Sequence, residues 1–230
     1  MKNFLFSSFM FLLFSACSTD SEAVIEKNLI SNPESLEGKA TFPLSSKNPY
    51  DSKGIEYYKT LQKFLKENSY PNSAAEISKQ ISFLSISGND SRTGKASNLG
   101  YSEQEILEIL ASPETKLIEI VENSLISSTS KMMVTTFVQS LIVQKDSEYA
   151  SIRNYIIDFD DDIISDEDLN SDEKETILTV STISSYALFA EAERKDRDWE
   201  KSVGTKPARL FFKANEASII TLIALLKNLL

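Results

Sequence analysis

The side chains of this 230-residue sequence that could do chemistry are mostly carboxylates. Asp158, Asp160, Asp161, Asp162, Asp166, Glu167 and Asp168 fall within eleven positions, and acids packed this closely repel one another unless water or a cation lies between them. Calcium, a hard ion that takes about six to eight oxygen ligands, would suit them. Asp158, Asp160 and Asp162 match positions 1, 3 and 5 of a helix-loop-helix calcium loop. Ile163, however, stands where that loop needs glycine for its turn, and Leu169 stands where it needs a bidentate Glu. The leading expectation is therefore a solvated helix end, with Asp158, Asp160 and Asp162 as a calcium set in second place. Gly88 through Lys95 looks at first like a phosphate-binding loop. Its spacing is long by one residue, and Ala96 occupies the position that should carry a magnesium-binding hydroxyl.

What is missing narrows the chemistry further. The chain has no histidine and one cysteine, Cys17. That excludes Ser-His-Asp and Cys-His catalysis, intrachain disulfides and the usual nitrogen and sulfur ligands of zinc. No organic cofactor is implied, and any catalysis would fall to carboxylates, lysine, tyrosine or serine.

Cys17 sits at a telling place. Lys2 is followed by an apolar run from Phe4 to Phe14, then by the small residues Ser15 and Ala16. A charged start, a short apolar middle and a small-residue exit describe a secretory signal. The run is too short to span a bilayer, which needs about 20 apolar residues. Phe14-Ser15-Ala16-Cys17 resembles the lipobox of bacterial lipoproteins, with Phe14 in place of the usual Leu. The resemblance implies removal of residues 1–16, fatty-acyl chains on Cys17 and a membrane held through them. Each buried methylene contributes about 0.8 kcal/mol, so two or three chains make a lasting anchor. Ser18 lacks the aspartate of an inner-membrane retention signal, so the outer membrane of the cell envelope is expected. The Lys-, Asn-, Ser- and Ile-rich composition is similar to that of lipoproteins of Bacteroidota.

The formal charge of −10 becomes −11 once Lys2 leaves with the signal. Such a surface disfavours nucleic acid, and also anionic lipid bound by charge alone. The expected partners are the membrane, through the lipid, and an envelope protein or polysaccharide.

The elements that must position these groups read as helices. Only six glycines and six prolines occur in the chain, which favours long helices over many short strands. Residues 17–53 carry isolated apolar side chains, Phe42 among them, and are expected to form a disordered tether. Residues 54–230 are expected to form the body, an all-α, irregular bundle of about seven helices, with a possible subdivision at the loop 87–101.

Within the body, Ile55, Tyr58, Leu61, Phe64 and Leu65 mark one helical face, and a second helix is expected over Ser73–Ser85. Ser102 and Glu105 form a capping box, with Tyr101 and Ile106 as its hydrophobic staple. Ser112-Pro113-Glu114 opens a helix expected to bury Leu117, Ile118, Val121 and Leu125. Met132–Val143 reads as a central buried helix, with β-branched residues that a strand would also accept. Asp146 or Ser147 should cap a helix whose core face is Tyr149, Ile152, Ile156, Phe159 and Ile163, leaving the acids on its solvent side. Another helix begins near Asn170 and runs through Ala190. Ala217–Leu226 is apolar enough for a core helix, and Trp199 is expected to close a helix end over the core.

These features favour a non-catalytic binding or structural role at the envelope. The alternatives are a carboxylate-dependent hydrolase or lyase, which needs two acids converging in a cleft, and a calcium-stabilised lipoprotein.

Overall fold

Ile219 through Leu226 are buried without interruption, and so are Ile177 through Ala192. A helix that is buried all round must be surrounded by other elements, and these two segments form the paired centre of the fold. The computed structural model describes residues 42–43, 47–87, 101–202, 212–213 and 215–230. Among them are eight α-helices and no strand: α1 (Asp51–Glu67), α2 (Ala74–Ser87), α3 (Glu103–Ala111), α4 (Pro113–Glu122), α5 (Ser128–Val143), α6 (Tyr149–Ser165), α7 (Ser171–Ser202) and α8 (Glu216–Leu229). All of them belong to one unit, Gly38–Leu230. No helix of the described residues is long and apolar enough to cross a membrane.

The long helix α7 packs against α1, α5, α6 and α8, while α8 packs against α2, α3, α4, α5 and α7. The shared core runs through Phe137, Leu141, Ile152, Ile177, Leu188, Ile223 and Leu226. Polar side chains in the middle of α7 are small hydroxyls, which can be accommodated inside. Ser184, for example, donates to the Val180 carbonyl one turn back at 2.7 Å.

Local signals set several of the helix starts. Glu105 N donates to Ser102 Oγ at 3.2 Å and Ser102 N donates to Glu105 Oε2 at 2.8 Å, completing the expected capping box. Pro113 opens α4 at its first turn, but the Ser112 side chain makes no cap bond. Ser127 caps α5, which settles Met132–Val143 as helix.

Other expectations need correction. The N-cap of α6 is Glu148, without a side-chain cap bond, in place of Asp146 or Ser147. Ile118 is 44% exposed on the outer side of α4, and Leu125 is fully exposed, because α4 ends at Glu122 and Leu125 falls in the turn that follows. Met132 and Val143 are also exposed, so α5 has an outer side and the fully wrapped helix is α7. Finally, α1 starts at Asp51, inside the stretch expected as tether. Phe42 also lies against the body, with ring centroids 5.1 Å from Phe189, 5.4 Å from Tyr186 and 6.0 Å from Tyr58.

Candidate functional site

Helix geometry separates the three aspartates of the calcium reading. Residues two apart on a helix point to opposite sides, and α6 carries Asp158 and Asp162 on its exposed side while Asp160 is 2% exposed. Among the described residues no group of three or more acids could hold a metal ion. The expectation that all these acids face solvent is corrected for Asp160, which falls on the stripe of Ile152, Ile156 and Ile163, four residues after Ile156.

Asp160 belongs to a sealed polar node between the start of α1, α6 and α7. Asn48, just ahead of α1, donates from Nδ2 to Asp160 Oδ2 at 3.0 Å and to the Leu178 carbonyl at 3.2 Å. Its Oδ1 accepts from Tyr50 N at 2.9 Å. Beside it, Asp51 accepts from Thr182 Oγ1 at 3.2 Å and from the Tyr186 hydroxyl at 3.1 Å. Burial pushes the Asp160 carboxyl up from the ordinary 3.8 to about 6, the nearby Asp51 and Asp161 charges add to the rise, and Ser181 and Asn48 oppose it. The node ties three elements together, and neither Asp160 nor Asp51 belongs to the lining of the two clefts described next.

A second polar group joins α1 to the far part of α7. Arg194 donates to Glu191 from Nε at 3.1 Å and from Nη2 at 2.5 Å, and its guanidinium lies 5.4 Å from the Tyr70 ring centroid. The Tyr70 hydroxyl donates to the Ala190 carbonyl at 2.7 Å, and that of Tyr58 to Glu193 Oε2 at 2.6 Å. Bonds this well satisfied hold helices together.

A cleft of about 610 Å³ lies open between α1, α2, α7 and α8. Its volume falls in the range of about 300–1,000 Å³ typical of small-molecule sites. Two facing helical stripes build it: Lys53, Glu56, Tyr57 and Thr60 on α1, and Asp172, Glu175, Thr176, Thr179 and Ile183 on α7. Leu84 from α2 and Leu225 and Leu229 from α8 supply an apolar wall. Asn228 Nδ2 donates to Ser85 Oγ at 2.9 Å across one end, and Lys53 Nζ lies 3.2 Å from Glu175 Oε1. Burial raises the Tyr57 hydroxyl well above the usual tyrosine range, so it stays protonated as a donor. The Thr179 hydroxyl is buried there without a hydrogen-bond partner.

A smaller cleft, about 280 Å³, lies among α3, α4 and the end of α8. Lys116 is paired there with Glu108 at 2.8 Å and Glu119 at 2.9 Å. Lys227 lies 3.5 Å from Glu105 and 5.0 Å from the Tyr101 ring centroid.

Cys17 and the Gly88–Lys95 stretch lie outside the described residues, as does the side chain of Trp199. The cleft residues were not singled out by sequence. Their signal was present in the three- and four-residue spacing of Asp172, Glu175, Thr176, Thr179 and Ile183, which carries a polar stripe of α7 into the core. No family model, no curated protein and no solved structure matches the chain.

Proposed function

We propose that this chain is an envelope lipoprotein, anchored through acyl chains on Cys17 at the outer membrane, whose helical body binds a small ligand without transforming it. The cleft between α1, α2, α7 and α8 carries the binding part of this reading, being of small-molecule size, partly apolar and lined with convergent polar groups. A carboxylate-dependent hydrolase is less well supported. The carboxyl that burial raises, Asp160, is bonded to Asn48 in the interior and lines neither cleft, whereas an acid of that kind would have to reach substrate. The calcium reading lacks converging ligands among the described residues. The anchor rests on the lipobox resemblance.

Intact mass and membrane partitioning of the chain expressed in a bacterium test the anchor. The expected mass is that of residues 17–230 plus acyl chains, lost together with membrane association in Cys17→Ser; an unlipidated, soluble wild type would overturn it. A thermal-shift screen of small molecules tests the binding. Hits whose shifts disappear in Thr179→Phe support the cleft, and hits indifferent to that variant would refute it.

A further inference from the structure

Helix α5 has a single charged residue, Lys131, and it is turned toward α4, where its Nζ donates to the Glu122 carbonyl at 2.7 Å. The exposed positions of α5 are Ser128, Thr129, Met132, Thr136 and Val143. Helical periodicity places them on one side, as an uncharged strip about 22 Å long. The helices on either side differ. On one flank α4, packed against α5, exposes Glu114, Glu119 and Glu122. On the other, α6 meets α5 through the stacked rings of Phe137 and Phe159, 4.4 Å apart, and exposes Asp158 and Asp162. Apolar side chains stand in water along the strip: Met132 is 62% exposed, Val143 80%, and Leu125, in the turn leading into α5, 98%. Covering them gains the transfer free energy of apolar area, and an apolar surface rimmed by charge marks a place of contact.

Resting on the reading of Cys17 as an acyl anchor, we propose that this face of α5 lies on the bilayer that holds the anchor, with Leu125, Met132 and Val143 seated among zwitterionic headgroups. Reach is the first argument. Phe42 comes 25 positions after Cys17, so the bilayer is never more than about 90 Å from the point where the chain joins the body. A link of that length makes docking an intramolecular step at an effective concentration of roughly millimolar, and a few apolar side chains then suffice. Phe42 joins the body beside Phe189, at 5.1 Å, and Phe189 also contacts Tyr149 in the first turn of α6, at 5.9 Å. The link therefore enters at the end of the bundle where α5 gives way to α6, the end at which Val143 lies. Charge is the second argument. The chain carries −10 and acids flank the strip on both sides, so an anionic bilayer repels this face and a zwitterionic one does not. A second copy would bring the same rim of acids against its own likeness. The hydroxyls of Ser128, Thr129 and Thr136 suit the hydrated headgroup region, in which a helix can lie flat with its apolar side chains inserted.

Fluorescence quenching of the full chain, expressed in a bacterium and reconstituted in phosphatidylcholine vesicles, tests this. Cys17 is the sole cysteine and acylation blocks its thiol, so an introduced cysteine takes the label alone. Met132→Cys, Val143→Cys and, as a control on α4, Glu114→Cys each receive a polarity-sensitive fluorophore, and the quencher is a lipid carrying a nitroxide near its headgroup. The labels at 132 and 143 are expected to be quenched at least about twofold more than the label at 114, and less so when phosphatidylglycerol replaces about a third of the lipid at low salt. Leu125→Ser with Val143→Ser, two exposed changes, is expected to bring the label at 132 down to the control while the protein stays on the vesicles. Equal quenching at all three positions in vesicle-bound protein would overturn the docking and leave the anchor standing. A label at 132 that ignores the nitroxide but self-quenches as copies per vesicle increase would assign the face to a second copy instead. A chain without acyl mass that fails to float with the vesicles would refute the anchor, and the docking with it.

Discussion

Gly54 on α1 lies so close to Tyr186 on α7 that a Cβ added at residue 54 would come within 2.4 Å of Tyr186 Cδ2, and within 2.3 Å of Thr182 Oγ1. Helix α1 can lie this deep against α7 only because residue 54 has no side chain. In an open helix Gly→Ala is stabilising by about 1 kcal/mol. Here the overpacking cost of about 1–3 kcal/mol wins, since both Thr182 and Tyr186 are also held by Asp51. Gly54→Ala is therefore expected to lower the free energy of urea unfolding, and a more stable variant would refute the close approach.

Asp160 gives stability a pH dependence of unusual sign. Its carboxyl is raised on folding, from the ordinary 3.8 to about 6, so between those values the folded state binds a proton that the unfolded state does not. Stability from this group is therefore full below pH 4, falls as pH rises to 6 and stays low above it. At about 1.4 kcal/mol for each pH unit, the loss is about 3 kcal/mol. Asp160→Asn keeps an acceptor for Asn48 and removes the titration. Urea midpoints of variant and wild type, taken from pH 4 to 7, should diverge in the variant's favour, with most of the change complete by pH 6. Parallel profiles would show that Asp160 is not desolvated.

Phe42 tests where the body begins. Its ring stands edge-on to Tyr186, Phe189 and Tyr58, and removing a partly buried Phe of this kind costs about 2–3 kcal/mol. Phe42→Ala is expected to shift the thermal midpoint downward, whereas a substitution in a true tether would leave it unmoved.

The capping box at Ser102 supplies a contrast in sign. Ser102→Ala is expected to cost about 1 kcal/mol, and Ser102→Thr to restore most of it. The Ser102 backbone N–H, as the largest influence, holds the Glu105 carboxyl below its usual range. This contribution is present at neutral pH and is lost on acidification through the folded value, opposite to the trend of Asp160. A Ser102→Ala variant with unchanged unfolding free energy at pH 7 would show that the cap contributes nothing.

How much of this was legible depends on how far apart the interacting residues lie in the chain. Capping chemistry is local, so the start of α3 at Ser102 and the Pro113 start of α4 could be read from a few adjacent residues. The apolar run that became the centre of α8 needed only one turn of context, and scarce glycine and proline announced an all-helical body. The resemblance around Cys17 is likewise a matter of contiguous residues.

Asp160 was misread because its neighbours in sequence are acids, while its partner in space is Asn48, 112 positions away, which also donates to the Leu178 carbonyl on another helix. Phe42 was assigned to a tether because nothing around it in the chain is apolar enough to bury it; Tyr186 and Phe189, more than 140 residues on, do so. The same distinction holds for the cleft. Sequence determined the helices and the polar stripe on α7, since both follow from periodicities of a few residues. Only the tertiary structure decided that Thr179 would face Tyr57 and Leu84 across a ligand-sized space, because that depends on how closely Gly54 lets α1 approach α7.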